Sequence, residues 1–217
     1  MFASIRCYFV HKTPADELAR QVDEDFAELI SAAPGFVSYE FLDCGEGETM
    51  TVSVFSSASH AEASRELARR WSDEKLQDYE FTILEAVHGQ VVLHRATDAL
   101  LAPVHPESAA GFTTVRRNRL AGRSVREAMR LADRGLADDI AQLSGFIEYC
   151  ALDCGDGDVI SFSRFSERTE AESSDQLAAR FAREELSGFE ITPNEWIGGG
   201  NVLVSRAAAR ALEPAHV

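Results

Sequence analysis

Seven residues with side chains suited to chemistry occur twice, as Leu42-Asp43-Cys44-Gly45-Glu46-Gly47-Glu48 and as Leu152-Asp153-Cys154-Gly155-Asp156-Gly157-Asp158. Carboxylates at alternate positions suit a hard cation, and a cysteine among them suits redox work. A calcium loop needs six or more oxygens, usually closed by a bidentate acid further on. Here Glu48 is followed by TMTVSVF and Asp158 by VISFSRF, alternating strand sequences without a carboxylate. The spacing therefore predicts an acidic hairpin turn whose glycines take positive φ. No neighbouring pattern lowers the pKa of Cys44 or Cys154. The four cysteines, Cys7, Cys44, Cys150 and Cys154, form no CxxC pair and no zinc-type cluster. The thiols read as free, and no metal is expected.

The motif belongs to a longer repeat. PGFVSYEFLDCGEGETMTVSVFSSASHAEASRELARRW aligns without a gap on SGFIEYCALDCGDGDVISFSRFSERTEAESSDQLAARF, at an offset of 110 residues. The same offset sets Arg6 over Arg116 and Leu93 over Leu203. It predicts one domain over 1–96, a linker over 97–112 rich in Ala, Pro and Ser, a second domain over 113–208, and a tail over 209–217.

Each copy has the same pattern of elements. ASIRCYFV and TTVRRNRL read as first strands. Leu18, Val22, Phe26, Leu29 and Ile30, against Val125, Met129, Leu136, Ile140 and Leu143, have helical spacing. Thr13-Pro14 opens that helix in copy one, and a Ser124/Glu127 capping box opens it in copy two. Two strands flank the glycine turn. A second helix is expected to start at Ser59 with Glu62, and at Thr169 with Glu172. A short helical turn near DEKLQ and REELS follows, then final strands HGQVVLHR and GGNVLVSR. The order β-α-β-β-α-β is ferredoxin-like. One such unit leaves a sheet face bare. The fold expected is α+β: two tandem ferredoxin-like (βαββαβ) repeats packing as an intramolecular dimeric α/β barrel, in a monomeric pseudo-dimer or a homodimer.

Charge narrows the partners. The chain carries 36 acidic against 21 basic residues, a net charge of −15, which opposes nucleic acid and anionic membranes. The start MFASIRCYFV lacks a signal-peptide pattern, and no apolar run reaches the roughly 20 residues of a membrane helix. A cytoplasmic setting is the expectation.

Pro34-Gly35-Phe36-Val37-Ser38-Tyr39, the VSVFSS strand with its counterpart ISFSRFS, and the AEAS and AESS helix starts give each copy a resemblance to antibiotic-biosynthesis-monooxygenase domains of the dimeric α/β-barrel superfamily. The resemblance implies the barrel fold. It also implies one of several activities: cofactor-independent oxygenation of phenols and quinols, haem degradation, or ligand binding without catalysis. Haem degradation is disfavoured, because Asn118, Trp71 and a helical histidine never meet in one copy, and His60 sits at a helix start. Oxygenation without a cofactor needs an apolar pocket, a base, and hydrogen bonds to a developing anion. The resulting candidates are Arg6, Tyr39, His88 and Asn118 as catalytic groups. Tyr8, Trp71, Arg116, Tyr149 and Trp196 are candidates for contact with a small aromatic substrate. Arg6 and Tyr8, like Arg116 and Asn118, lie two residues apart and share a strand face. Copy two places Arg117 and Arg119 where copy one has Cys7 and Phe9. That exchange predicts the better apolar pocket in copy one.

Overall fold

The computed structural model describes residues 1–121 and 124–216, apart from the side chains of residues 193–197. The chain is mixed α+β, and its described strand pairs are antiparallel. It divides into two compact units. Unit one is Met1–His88, Leu101–Ala110 and Gly200–Ala211; unit two is Gly89–Leu100, Gly111–Gly199 and Leu212–Val217.

In unit one, β1 (Phe2–His11) pairs with β3 (Glu48–Phe55), β3 with β2 (Phe36–Gly45), and β2 with residues 201–207 of β8 (Glu190–Ala207). Helix α1 (Ala15–Gln21), a π-helical turn (Val22–Phe26) and α2 (Ala27–Ser31) run on from one another, and α3 (Ala58–Lys75) follows β3. Unit two has the same order. Here β5 (Phe112–Ala121) pairs with β7 (Asp158–Phe165), β7 with β6 (Phe146–Gly155), and β6 with residues 90–96 of β4 (Glu80–Ala96). Its helices are α4 (Val125–Arg134), α5 (Leu136–Ala141) and α6 (Arg168–Glu184). Irregular registers fall at Phe36/Ser38 and Asp43/Gly45 in β2, and at Phe146/Glu148 and Asp153/Gly155 in β6. Each pair is 110 residues apart, so backbone irregularities repeat along with the sequence.

The acidic glycine motif is the turn between β2 and β3, and again between β6 and β7. Asp43 Oδ1 accepts from the Gly45 amide at 2.9 Å, and Asp153 Oδ1 from Gly155 at 2.9 Å. Glu46 and Gly47 take φ of 52° and 85°, Asp156 and Gly157 51° and 81°. Two successive positive φ values give the turn whose twist suits a tight hairpin. At Gly157 a Cβ would sit 2.2 Å from the Leu120 carbonyl oxygen, so glycine is required there on two counts.

Two sequence expectations about boundaries change. Helix α3 is capped by Ser57, whose side chain accepts from the His60 amide, and Ser59 is already within the helix. Helix α6 starts after Glu167 without a side-chain cap. The Ser124 cap of α4 is as expected, accepting from Glu127 at 3.2 Å. The last strands begin earlier than HGQVVLHR and GGNVLVSR, at Glu80 and Glu190. In β4 the period-two sequence EFTILEAV continues the strand backwards. The segment rich in Ala, Pro and Ser carries two 3₁₀ turns, Asp98–Leu101 and Pro106–Ser108.

Apolar faces of helices and sheet meet in each unit. In unit one Leu18, Val22, Phe26, Tyr39, Phe41 and Trp71 are buried together; in unit two Met129, Leu136, Ile140, Tyr149, Phe165 and Phe189 are. Unit two also buries a charged pair. His94 Nε2 lies 2.8 Å from Glu148 Oε1, with both side chains 1% exposed, and His94 Nδ1 lies 3.2 Å from the Glu213 carbonyl oxygen. A carboxylate and a carbonyl oxygen on the two ring nitrogens favour the doubly protonated ring. Burial alone would lower the His94 pKa, but the hydrogen bond and charge of Glu148 outweigh it and raise the value. A raised folded-state pKa gives stability that is full below the unfolded histidine value of about 6.5 and is lost as pH rises through the folded value. Urea unfolding should therefore show the wild type losing stability from pH 6 to pH 9 relative to Glu148→Gln. Parallel curves for the two proteins would contradict this pairing.

Candidate functional site

Strand periodicity aims one face of each sheet at its helices. In unit one that face carries Arg6 and Tyr8 of β1, Thr49, Thr51 and Ser53 of β3, and Tyr39 and Phe41 of β2. The register agrees: Arg6 lies opposite Thr51, Tyr8 opposite Thr49, and Tyr39 opposite Ser53. These residues line a cavity of about 90 Å³, closed on the helical side by Phe26 and Trp71. Phe26 packs on Trp71 at 4.9 Å between ring centroids and meets Tyr39 edge-on at 5.5 Å. Phe81, from the start of β4, meets Tyr8 edge-on at 5.9 Å. Burial pushes the Tyr39 hydroxyl pKa well up, with the neighbouring Tyr8 adding to the rise and Arg6 opposing it. Tyr39 is therefore a neutral hydrogen-bonding group.

Unit two builds the same face from Arg116 and Asn118 of β5, Val159 and Ser161 of β7, and Tyr149 and Ala151 of β6. The registers are again matched, Arg116 opposite Ser161 and Tyr149 opposite Ser163. The cavity here is about 730 Å³. Its helical wall is apolar, with Met129, Ala132, Leu136, Ala178, Phe181 and Leu186. Its polar end is organised around Arg116, which is 7% exposed. Arg116 Nε donates to Asp175 at 2.5 Å, Nη2 to Ser174 Oγ at 2.6 Å and to Ser163 Oγ at 3.1 Å. Thr114 adds a hydrogen bond to Asp175 at 3.1 Å. Tyr149 is fully enclosed; burial raises its pKa, while Arg116 and a hydrogen bond with Ser161 pull it the other way.

The larger cavity thus lies in copy two, which corrects the expectation drawn from Arg117 and Arg119. Arg117 pairs with Asp158 at 2.7 Å, so its charge is met at the strand and leaves the apolar wall intact. Cavity size follows instead from the wall residues at the 110-residue offset. Phe26, Phe41 and Trp71 are replaced by Leu136, Ala151 and Phe181, and Val22, Tyr8 and Phe81 by Ala132, Asn118 and Ile191. In each pair unit two has the smaller side chain, and the backbone does not collapse to fill the space.

The sequence candidates therefore form two groups. Arg6, Tyr8, Tyr39 and Trp71 meet in the small cavity; Arg116, Asn118 and Tyr149 meet in the large one. His88 joins neither: it is exposed on β4, with its ring 6.1 Å from Phe2. Trp196 lies in β8, with its side chain outside the described residues. Asp175, Ser163 and Ser174 are not among the sequence candidates. The signal was present, since the offset puts Asp175 over Arg65: copy two has an acid at the helix position where copy one has a base. Cys44 and Cys154 stay as neutral thiols, their pKa values pushed up to about 12 by burial and by neighbouring carboxylates. Among the described residues no group of three or more His, Cys, Asp or Glu could hold a metal ion, and no helix is long and apolar enough to cross a membrane.

No family model and no curated protein matches the sequence. Solved structures do match. A candidate monooxygenase from Fusobacterium nucleatum superposes with a TM-score of 0.67 at 8% identity, over 95% of this chain and 94% of that one. An anthrone oxidase-like protein gives 0.58 at 15% identity, over 97% and 95%. A haem-binding protein from Thermus thermophilus gives 0.54 at 12%, over 93% and 90%. The likeness is one of fold.

The volume difference has a consequence for stability. Trp71 is 8% exposed in a nearly filled wall, whereas Phe181 is half-buried beside open space. Trp71→Ala should cost about 3–5 kcal/mol in urea unfolding, and Phe181→Ala roughly half of that or less. Equal losses would contradict the difference in packing.

Proposed function

We propose that the chain is a cofactor-independent oxygenase-like protein whose unit-two cavity takes a small aromatic substrate of the quinol or anthrone type. The observation that carries this reading is a 730 Å³ apolar cavity with Arg116, Asn118 and Tyr149 converging at one end. That volume lies in the range of ligand pockets, and the mix of apolar wall and few polar groups is typical of them. Asp175 is the one carboxylate among the described lining residues and is the proton acceptor in this reading, in place of the exposed His88. It would take a proton from the substrate. The Tyr149 hydroxyl, the Asn118 amide and the Arg116 guanidinium would then stabilise the enolate oxygen. The carbanion form gives electrons to dioxygen and a carbon–oxygen bond forms. The oxygen–oxygen bond then breaks, so that a CH₂ becomes C=O and the second oxygen leaves as water. No outside reductant is needed.

The likeness to a haem-binding protein raises haem as an alternative, and the donor set does not fit it. An axial ligand would come from histidine, cysteinate, methionine or tyrosinate. No histidine or cysteine lines the cavity among the described residues. Tyr149 is held neutral by burial, and Met129 sits on the apolar helical wall. One observation favours a second reading as a ligand-binding protein without catalysis: Asp175 already neutralises Arg116.

The finer architecture is part of the same proposal. The gapless offset, the repeated register shifts and the repeated hairpin support two tandem ferredoxin-like repeats. A cytoplasmic monomer or homodimer remains the expected setting.

Oxygen uptake with anthrones and hydroquinones tests the chemistry. Turnover should fall about 10²–10⁴-fold in Asp175→Asn, as for loss of a general base, and Ala151→Phe should abolish binding of three-ring substrates. Binding without uptake would select the ligand-binding reading. Neither binding nor uptake would overturn both.

A further inference from the structure

The unit-one cavity has a composition that its size alone does not explain. Arg6 is the one charged side chain among its described lining residues, and no carboxylate lines it. Arg6 makes no hydrogen bond or ion pair within the described chain; the group it acts on electrostatically is Tyr39. This is unusual in a protein with 36 acidic residues, and its counterpart Arg116 is fully held by Asp175 and two serines. The helix position equivalent to Asp175 is Arg65, which pairs with Glu62 on its own helix. The offset therefore changes the acid facing the strand arginine into a base and leaves Arg6 uncompensated.

A second observation is independent of charge. Thr49 Oγ1 and Trp71 Nε1 are buried with no hydrogen-bond partner, and both residues line this cavity. Thr49 is 1% exposed and Trp71 8%. An unmet buried donor costs about 1–3 kcal/mol, so orphaned polar groups in a native core need a reason. Two unmet buried polar groups and a half-buried guanidinium without an ion-pair partner, around one small cavity, suit an acceptor that carries negative charge. The cavity of about 90 Å³ has room for about three waters, or for one anion of three or four heavy atoms. A polycyclic phenol is far too large.

We infer that unit one holds a small-oxyanion site, in which the Arg6 guanidinium takes a compact carboxylate such as formate or acetate, or the isosteric nitrate, with Thr49 and Trp71 supplying further donors. A planar three-atom O–X–O group matches the fork of a guanidinium, which binds it through two parallel hydrogen bonds. This site shares no residue with the aromatic cavity of unit two, and it stands whether or not that cavity is catalytic.

The test uses the full chain in a Trp196→Phe background, which leaves Trp71 as its sole tryptophan. Formate, acetate and nitrate are titrated at constant ionic strength held with gluconate, which exceeds the cavity in size. The expected result is a saturable change in Trp71 fluorescence and a concentration-dependent rise in Tm. Arg6→Met should weaken the response at least tenfold while the far-UV circular dichroism stays unchanged. If Arg6→Met fails to fold, Thr49→Val serves as the second variant and should weaken binding several-fold. Formamide and acetamide match the anions in size and lack their charge. An equal response to these amides, a response unaltered in both variants, or no saturable response to any of the three anions would overturn the site.

Discussion

A guanidinium on a cavity wall, buried as at Arg116 or half-buried as at Arg6, must be met by something, and the two halves of this chain meet it differently. Both first strands place an arginine on the face that looks toward the helices. In unit two Asp175, Ser163 and Ser174 hold Arg116 in a closed network. The arginine is then a fixed wall of the cavity, and the space beyond it can be apolar and large. In unit one no such partner exists for Arg6 among the described residues, and aromatic side chains close the space around it instead. One backbone plan therefore supports a roomy, charge-balanced pocket and a small, positively biased one. The difference lies in a few side chains.

The backbone plan itself rests on period-two alternation and on a turn that glycine alone can make. Residues two apart on β1, β2 and β3 share the cavity face, and hairpin register puts Arg6 beside Thr51 and Arg116 beside Ser161. A slip of one residue would send every one of these side chains to the other face. The acidic Cys-Gly motif fixes that register: its aspartate caps the turn, and its positive-φ residues set the hairpin twist. Its carboxylates and thiols need no chemistry of their own to account for its presence twice.

Much of this was legible in the sequence. The 110-residue offset identified the elements of both units and the strand positions of Arg6, Tyr8, Tyr39, Arg116, Asn118 and Tyr149, and the Ser124/Glu127 box identified the cap of α4. Two kinds of feature were not legible. Helix starts were displaced because Ser57, lying two residues before the expected Ser59, has the extended backbone that a cap requires. Cavity size was misjudged because it depends on the sum of residues from four elements, such as Phe41 against Ala151 and Trp71 against Phe181. Charge on one strand does not determine that sum. The carboxylate that matters, Asp175, lay in the alignment opposite Arg65; its meaning emerges once α6 is seen to bring it to Arg116.

The most direct measurement is a crystal structure of the full chain grown anaerobically with a three-ring quinol and with formate. One quinol is expected in the unit-two cavity, with its oxygen at Tyr149 and Arg116, and formate against Arg6 in unit one. A quinol seated in unit one, or a unit-two cavity left to solvent at saturating quinol, would contradict this assignment.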